Sequence, residues 1–217
     1  MLTALLGGTF DPIHYGHLRP AISLANEVGL KQIGLLPNHI PPHKPQPEAS
    51  TEQRLAMLKL AIKGLPLFAL NVREILPETS TRPSYTIETL QAWRQENGNS
   101  EGLAFIMGQD SLLSLPTWSK WKTLLDYCHL LICRRPGYAQ KTDNIELQQW
   151  IDVHNTTNVK DLHNSPHGYI FFAHTPLEDI SATEIRQNIN NQASCENLLP
   201  PEVWHYIHQQ GLYTAKK

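Results

Sequence analysis

Cysteine is scarce in this sequence, and the spacing of the few cysteines excludes two classes of protein. Only three occur, Cys128, Cys133 and Cys195, and no two of them form a Cys-x-x-Cys pair. An odd number at this spacing argues against both a disulfide framework and a structural zinc site. We therefore expect free thiols, most of them buried.

Long hydrophobic runs and an excess of either charge are also missing. No apolar run approaches the roughly 20 residues of a membrane span, and the start "MLTALLGGTF" lacks the basic region and cleavage site of a signal peptide. Lys and Arg number 18 against 20 for Asp and Glu, so no basic field exists to hold nucleic acid or an anionic membrane. We expect a cytoplasmic protein with a small ligand and with neither nucleic acid nor membrane as partner. A homo-oligomer is left open.

What the sequence does contain is an alternation of short apolar runs with amphipathic segments. This alternation is typical of βαβ units, and the near-continuous apolar character of the runs suits a parallel sheet covered on both faces. The sequence therefore predicts an α/β fold, a Rossmann-like doubly wound parallel sheet with a small C-terminal helical end. We expect a single domain over residues 1–217, with the helical subregion at about 180–217.

The predicted elements follow from apolar runs and from helix start and stop signals. The six predicted strands are "LTALL", "QIGLL", "FALNV", "LAFIMG", "HLLICR" and "YIFFAH". Helices are predicted over residues 17–29, with Pro20 in the first turn, over 50–64, opened by a Ser50 and Gln53 capping box, and over 84–98. Further helices are expected at 145–155, 181–191 and 200–211, with two short helices in 110–127 separated at Pro116.

The stretch "GGTFDPIHYGH" directly follows the first predicted strand, where α/β proteins bind ligands. Gly7 and Gly8 allow a phosphate to approach the backbone, and a helix beginning near Gly16 offers free N–H groups to an anion. His14 and His17 lie one helical turn apart on the same side, and Gly16 between them leaves space for a phosphate. These features predict a nucleotide site.

Other interpretations of this stretch stay open at this point. The glycines would also serve a simple turn, and the histidines would also serve as surface or capping groups. His39 and His43 in the next loop admit a zinc site, although the tighter spacing and the acidic or thiolate ligands usual for zinc are missing. A nucleotide-binding regulator is a further alternative. A Rossmann dehydrogenase is disfavoured because the Gly-x-Gly-x-x-Gly pattern is absent.

Two blocks at opposite ends of the chain resemble the signatures of the nucleotidylyltransferase superfamily. His14-Tyr15-Gly16-His17 matches its His-x-Gly-His, and "ISATEIR" at residues 180–186 matches its Ile-Ser-Ser-Thr-x-Ile-Arg, with Ala182 in place of the second serine. Between them "PNHIPPHK", "RPSYT", "GQDSL", "LPTW" and "RRPG" resemble the bacterial nicotinate-nucleotide adenylyltransferases. The missing hydroxyl at Ala182 puts one phosphate contact in doubt.

This resemblance implies a reaction and a set of site residues. The reaction is adenylyl transfer from ATP to nicotinate mononucleotide, giving deamido-NAD and pyrophosphate, with Mg²⁺ bound through the ATP phosphates and no metal site in the protein. His14 and His17 are the implied catalytic residues. The implied ATP-binding residues are Gly8, Thr9, Phe10, Gly16, Gly108, Asp110, Ser181 and Arg186. Those implied for nicotinate mononucleotide are Asn38, Lys44, Tyr85, Thr86 and Trp118.

Several of these residues also have a purely structural interpretation. Ser181 stands at capping-box spacing from Glu184, and Asp110 would serve as the N-cap of the helix that it precedes. Trp118 would also serve as a half-buried core aromatic, and Lys44 as part of a solvated loop.

The choice of substrate rests on the "RPSYT" block. Pro83 disfavours helical geometry at Arg82, so a helix starting at Tyr85 and Thr86 would present free N–H donors, which favour a nicotinate carboxylate over an amide. Nicotinamide mononucleotide and phosphopantetheine remain alternative substrates. The phosphopantetheine-using family usually has Thr-x-Gly-His, so His14 counts against it.

Overall fold

A parallel sheet of six strands organises the part of the chain that the structure describes. The structure is a computed structural model that describes residues 1–39, 45–75, 85–135, 137, 141–176 and 178–214. The strands are β1 (Leu2–Gly8), β2 (Gln32–Pro37), β3 (Phe68–Leu70), β4 (Gly102–Gly108), β5 (His129–Cys133) and β6 (Ile170–Phe172). Every neighbouring pair is parallel, and the order β3-β2-β1-β4-β5-β6 is that of the doubly wound Rossmann sheet. The predicted α/β fold class is confirmed.

Apolar side chains on both faces of the strands explain why the sheet is buried. Successive strand residues point to opposite faces, so Ala4 joins one hydrophobic cluster and Leu5 joins the other. In β5 all five residues are buried. A strand with two buried faces has no polar side to alternate with, which is why these strands are near-continuous apolar runs.

Helices connect the strands and cover both faces. They are α1 (Tyr15–Val28), α2 (Thr51–Ile62), α3 (Thr86–Asn97), α4 (Gln109–Ser114), α5 (Ile145–His154), α6 (Val159–Asn164), α7 (Ala182–Asn190) and α8 (Pro201–Gln210). The predicted capping box of α2 is present, because the Ser50 hydroxyl accepts the Gln53 N–H at 3.1 Å and the Gln53 side chain accepts the Ser50 N–H at 2.9 Å. α1 ends as predicted at Gly29, whose φ of 72° is left-handed.

Two expectations about the helices need correction, and one helix was not predicted. Pro20 is the sixth residue of α1 and not part of its first turn, because the helix already begins at Tyr15. Residues 109–126 form one short α-helix followed by two 3-10 segments, and Pro116 lies inside the first segment rather than between two helices. The polar stretch before β6 contains a helix, α6, that the sequence did not indicate.

The last two helices pack on the first half of the chain. Ile185 of α7, together with Val203 and Ile207 of α8, lies in the same buried cluster as residues of β1 and β2, and α8 contacts α2. The three cysteines are free and buried, as predicted. None of the helices in the described ranges is both long enough and apolar enough to cross a membrane.

Candidate active site

The loop that joins β1 to α1 lies at the carboxyl ends of the strands and carries the first signature block. At Gly8 a Cβ would lie 3.0 Å from the Phe10 ring, so the glycine allows this ring to fold back over the strand end. Phe10 has φ 51°, an uncommon left-handed conformation for a bulky residue, and its side chain is buried in the core. The Phe10 ring is therefore part of the packing.

The two signature histidines form one stacked unit. Their ring centroids are 3.8 Å apart with the planes inclined by 27°, and the edge of Phe10 meets the His17 ring at 5.0 Å. His17 Nδ1 accepts the backbone N–H of His14 at 3.2 Å. An accepting Nδ1 places the proton of a neutral His17 ring on Nε2, which is then a hydrogen-bond donor. The predicted pairing of these two side chains is thus present.

Burial keeps the His14 ring neutral. Only 4% of His14 is exposed. Loss of solvation, with the nearby Arg135 charge as a smaller cause, lowers the pKa of His14 from its usual value to about 3. A neutral imidazole at neutral pH can donate one hydrogen bond to a phosphate without carrying a charge of its own.

The start of α1 differs from the anion site that the sequence predicts. The Tyr15 N–H donates to the Leu198 carbonyl at 3.0 Å and the His17 N–H to the His14 carbonyl at 3.0 Å. Space beside Gly16 is also taken by protein, because a Cβ there would lie 2.8 Å from both the His14 ring and the Ile180 carbonyl oxygen. On its Cβ side Gly16 therefore serves close packing between the two signature blocks and leaves no room for a phosphate. Contact of its backbone with ATP stays a prediction.

The second signature block forms the start of α7 and offers the better anion site. The Ser181 hydroxyl accepts the Glu184 N–H at 3.1 Å, so its capping role is confirmed. The Ala182 and Thr183 N–H groups find no partner within the described part of the chain. Arg186 reaches from this helix to the first block, where its Nη1 donates to the Asp11 carbonyl at 2.9 Å. The two blocks therefore meet at one place.

Asp110 lies beyond the end of β4 and is paired with an arginine. Its Oδ2 accepts Arg135 Nη1 at 3.0 Å. Gly108 and not Asp110 is the N-cap residue of α4, so the capping interpretation of Asp110 is wrong. At Gly108 a Cβ would lie 2.6 Å from Asp110 Oδ1, so only glycine lets this carboxylate fold back against the strand end.

The residues predicted for the second substrate surround the same edge of the sheet. Asn38 follows β2, and its buried Oδ1 has no partner among the described residues. Tyr85 is the N-cap residue of α3 and Thr86 its first residue, and no described side chain caps this helix start. Trp118 is partly buried, edge-on to Phe105 at 6.5 Å, as in the core interpretation. Lys44 and His43, like Arg82 and Pro83 of the "RPSYT" block, lie outside the described residues.

Two buried charged residues of the site, Arg54 and Asp11, were not predicted from the sequence. Arg54 of α2 is 1% exposed, and its Nη1 donates to the Thr9 and Asn38 carbonyls at 2.8 Å each. Asp11 is 4% exposed and accepts the N–H groups of Glu48 at 2.8 Å and Ala49 at 3.1 Å. Arg54 thus ties the ends of β1 and β2 together. The Asp-Pro dipeptide was the only local signal for Asp11, and Arg54 had none.

Unsatisfied polar atoms concentrate around this loop. Four buried side-chain atoms here have no hydrogen-bond partner within the described ranges, namely Thr9 Oγ1, His14 Nδ1, Asn38 Oδ1 and Arg54 Nε. Because nearly all buried polar atoms in folded proteins are paired, such a cluster indicates that a polar ligand or ordered water completes the site.

Among the described residues, no group of three or more His, Cys, Asp or Glu side chains could hold a metal ion. His39 of the zinc alternative instead lies 3.3 Å from the Thr51 hydroxyl through its Nδ1.

Comparison with known proteins gives a consistent family. The model of the cytidylyltransferase-like family matches residues 5–188. Over 212 residues the chain is 57% identical to the probable nicotinate-nucleotide adenylyltransferase of Yersinia pestis (strain Pestoides F), covering 98% of this chain and 95% of that protein. The protein of the same name from Pectobacterium atrosepticum is 55% identical, with 98% of each chain covered.

Solved structures show the same fold at low identity. Plasmodium falciparum nicotinic acid mononucleotide adenylyltransferase complexed with APC superposes with a TM-score of 0.69 at 17% identity, covering 97% of this chain and 96% of that one. The same enzyme complexed with NaAD gives a TM-score of 0.68 at 18% identity, with the same coverage of 97% and 96%.

Proposed function

Because the chain belongs to the cytidylyltransferase-like family and its relatives at 57% identity are named nicotinate-nucleotide adenylyltransferases, we propose that it transfers the adenylyl group of ATP to nicotinate mononucleotide. The products are deamido-NAD and pyrophosphate, as in NAD biosynthesis.

The meeting of the two signature blocks carries this proposal. Gly16 of the first block packs directly on the Ile180 carbonyl of the second, and Arg186 of the second donates to Asp11 of the first. One place at the carboxyl end of the sheet is therefore surrounded by three kinds of group. These are the stacked histidines, the Ala182 and Thr183 N–H groups of α7, and the two arginines Arg135 and Arg186. That combination of neutral donors and positive charge suits a polyphosphate.

The substrate itself supplies the nucleophile. The 5′-phosphate of the mononucleotide is largely doubly ionised at neutral pH, because the second pKa of a phosphate ester is about 6. One of its oxygens attacks the α-phosphorus of ATP and forms a new P–O bond. The bond from the α-phosphorus to the bridging oxygen breaks, and pyrophosphate leaves with the electron pair. No general base is needed.

The protein contributes position and charge neutralisation. His14 and His17 would donate hydrogen bonds to oxygens of the α-phosphate or the departing pyrophosphate, where negative charge shifts during the reaction. The α7 N-terminus with Ser181 and Arg186 would hold the other phosphates, and the strand-end backbone at Gly8, Thr9 and Gly108 would lie along the nucleotide. Asp110, paired with Arg135, would accept a ribose hydroxyl. Holding two anions in line for transfer is the main source of catalysis.

Mg²⁺ would enter as part of the substrate, bound to ATP phosphate oxygens. The described residues fit this arrangement because the Asp110 carboxylate of the site is already paired with Arg135, and neutral imidazoles suit phosphate oxygens better than Mg²⁺. When bound, the ion neutralises charge on the triphosphate.

Recognition of the nicotinate ring is assigned to four residues. The N–H groups at Tyr85 and Thr86 would donate to the ring carboxylate, Asn38 would supply a polar contact, and the Trp118 ring would pack on the pyridine. Lys44, which precedes α2 in the sequence and lies outside the described residues, would contact a phosphate. An amide on the ring would turn its NH₂ toward donors, or rotate to present its oxygen alone.

Two broader properties complete the proposal. We place the reaction in the cytoplasm, where the three buried free thiols are compatible with a reducing compartment. Residues 1–217 are assigned to one domain, because side chains of α7 and α8 share a core with β1 and β2.

The test is a comparison of two substrates with ATP. Pyrophosphate release and deamido-NAD formation are measured with nicotinate mononucleotide and then with nicotinamide mononucleotide. Sites built to hydrogen-bond one group discriminate by up to about 10⁴-fold, so kcat/KM should strongly favour the nicotinate substrate. A ratio near one, or one favouring the amide, would assign the chain to the nicotinamide-using reaction. ATP binding without turnover on either substrate would indicate a regulator.

A further inference from the structure

The C-terminal part of the chain returns to the catalytic loop through one side chain. Tyr213 follows α8 and is 7% exposed, and its hydroxyl donates to Asp11 Oδ1 at 2.7 Å across 202 residues of sequence. Burial first, and the adjacent Asp11 carboxylate second, raise the pKa of Tyr213 well above its usual value. The phenol therefore stays protonated and donates to Asp11 at all ordinary pH values.

Asp11 is the point at which distant segments hold the loop. Its carboxylate accepts three hydrogen bonds, from the Glu48 and Ala49 N–H groups and from Tyr213, while its carbonyl accepts Arg186. Only two residues, Pro12 and Ile13, separate it from His14, the first of the stacked histidines. Any displacement of Asp11 is therefore passed directly to the histidine pair.

The backbone at Tyr213 is itself unusual. Its φ is 63°, in the left-handed region that large side chains rarely adopt. Such a conformation persists only where surrounding contacts fix it, and outliers of this kind concentrate near functional sites. Here the ring is buried and the hydroxyl is bonded to Asp11, so the strained residue is fixed by the same contact that reaches the loop.

We propose that Tyr213 is a positioning residue for catalysis: through Asp11 it sets the placement of His14 and His17 against the reacting phosphates. It touches no substrate. A small misplacement of catalytic groups by a residue away from the chemistry can lower a rate by up to about 10²-fold, so loss of this contact should affect turnover more than substrate affinity. The inference rests on the proposed adenylyl transfer.

The test compares Tyr213→Phe with Tyr206→Phe, after the wild-type chain has been shown to form deamido-NAD. Tyr206 is partly buried on α8, and its hydroxyl has no hydrogen bond to another residue in the described ranges, which makes it a matched control. For Tyr213→Phe we expect kcat to fall about tenfold with KM for both substrates changed less than about twofold. Tyr206→Phe should retain wild-type kcat.

Hydrogen exchange provides a readout that does not depend on the reaction. Amides of residues 9–14 should exchange faster in folded Tyr213→Phe than in the wild type and in Tyr206→Phe. Unchanged kcat per folded molecule in Tyr213→Phe, with unchanged exchange in this loop, would overturn the proposal even if the melting temperature falls. An equal loss of kcat in Tyr206→Phe would also overturn it. Failure of the wild type to turn over instead refutes the proposed function, and the exchange experiment still decides the role of Tyr213 in the loop.

A double variant tests the route through Asp11. If Tyr213 acts only through this carboxylate, the double variant Asp11→Asn/Tyr213→Phe should have the same kcat as the less active of the two single variants. If the losses of kcat in the two single variants multiply in the double variant, Tyr213 does not act through Asp11. Should Tyr213→Phe fail to fold, Asp11→Asn weakens the same contact from its other side. Asp11→Asn should then show the loss of kcat expected for Tyr213→Phe, about tenfold, at unchanged KM.

Discussion

Two buried arginines at opposite edges of the sheet differ in how completely they are paired. Arg94 of α3 is 5% exposed, and its donors all serve backbone carbonyls that precede β4, β5 and β6, those of Gly98, Glu101, Tyr127 and Pro166, at 2.6 to 3.1 Å. Arg54, at the carboxyl edge, binds two carbonyls and leaves its buried Nε without a partner within the described part of the chain.

Two buried histidines repeat this difference. His129 begins β5 at the amino edge, and both of its ring nitrogens are paired, Nε2 with the Ser165 carbonyl at 2.8 Å and Nδ1 with the Tyr169 N–H at 3.1 Å. His14 at the carboxyl edge has a buried Nδ1 with no partner among the described residues. Burial lowers the pKa of both rings.

The comparison indicates that polar groups at the amino and carboxyl edges of the sheet have different roles. At the amino edge polar groups are saturated by the protein, so they contribute to folding alone. At the carboxyl edge comparable groups are buried but incompletely paired, so part of their hydrogen-bonding capacity remains for a ligand. Mutations at the two edges should therefore separate stability from activity.

The largest effect is expected for Arg94→Met. This change removes all five Arg94 hydrogen bonds to the four carbonyls while keeping an apolar stem of similar length. Within the described ranges only the Pro166 carbonyl keeps another donor, the Leu103 N–H, and a buried acceptor left unsatisfied costs about 1–3 kcal/mol. Urea unfolding should show that loss, whereas kcat of the folded fraction should be unchanged. Arg54→Met should lower both the free energy of unfolding and kcat, since it releases the ends of β1 and β2. A tenfold loss of kcat in folded Arg94→Met would contradict this difference in roles.

The next effect concerns His17→Ala, where kcat should fall about 10²-fold or more, as when one donor to a developing anion is removed. The variant also loses the acceptor for the His14 N–H, so a stability loss of about 1 kcal/mol is expected. His17→Asn separates the two roles, because its Oδ1 can accept that N–H in place of Nδ1. It should recover the stability and not the rate. Near-normal turnover in folded His17→Ala would refute the assignment.

Acidification should destabilise the protein through His14. The folded pKa of about 3 lies below the value near 6.5 of an unfolded histidine, so the unfolded chain binds the extra proton as pH falls. The contribution of His14 to the free energy of unfolding is therefore complete above about pH 6.5. It is lost as the pH falls toward 3, at up to about 1.4 kcal/mol per pH unit.

Unfolding by urea at pH 7.5 and at pH 5 measures this contribution. Between pH 7.5 and pH 5 the free energy of unfolding of the wild type should fall by about 2 kcal/mol more than that of His14→Asn. Saturating ATP should shrink the difference, since a polyphosphate beside His14 favours its protonated form. The corresponding difference for His129→Asn, at the other edge, should not respond to ATP. Equal responses of the two histidines would contradict the comparison.

Local patterns predicted the fold because the determinants of the fold are local. The buried strands, the Ser50 and Ser181 caps and the terminal glycine of α1 are each fixed by a few neighbouring residues. The pairing of His14 with His17 is likewise a consequence of helical spacing. The predicted start of α1 is less accurate, because proline favours the first turn of a helix and Pro20 is the sixth residue of α1.

Contacts between distant segments could not be predicted in this way. Asp11 is bonded to residues 37, 38 and 202 positions away, and Arg54 bonds a carbonyl 45 positions away. A buried Arg54 has the same sequence pattern as an arginine on a solvated helix face. Gly16 shows the same limit, since a missing Cβ does not reveal whether a ligand or another segment occupies the space.

The smallest effect is expected for Arg186→Ala. Its guanidinium contacts Asp11 O and, at 3.4 Å, Thr183 Oγ1, beside the uncapped N–H groups of α7. Loss of one charge-assisted contact to phosphate should lower kcat/KM for ATP about tenfold. Thermal unfolding should change little, because Ser181 caps the helix independently and the 3.4 Å pair of Arg186 with Glu48 is partly exposed.

Two further variants show whether this arginine acts on the nucleotide or on the loop. Arg186→Lys keeps the charge without the planar fork and should fall between wild type and Arg186→Ala. Glu48→Gln removes the partner charge while leaving Arg186 in place, and should retain wild-type kinetics with ATP. Equal losses in Glu48→Gln and Arg186→Ala would mean that the pair acts by holding the loop. Unchanged ATP kinetics in Arg186→Ala would leave the second signature block with a capping role alone.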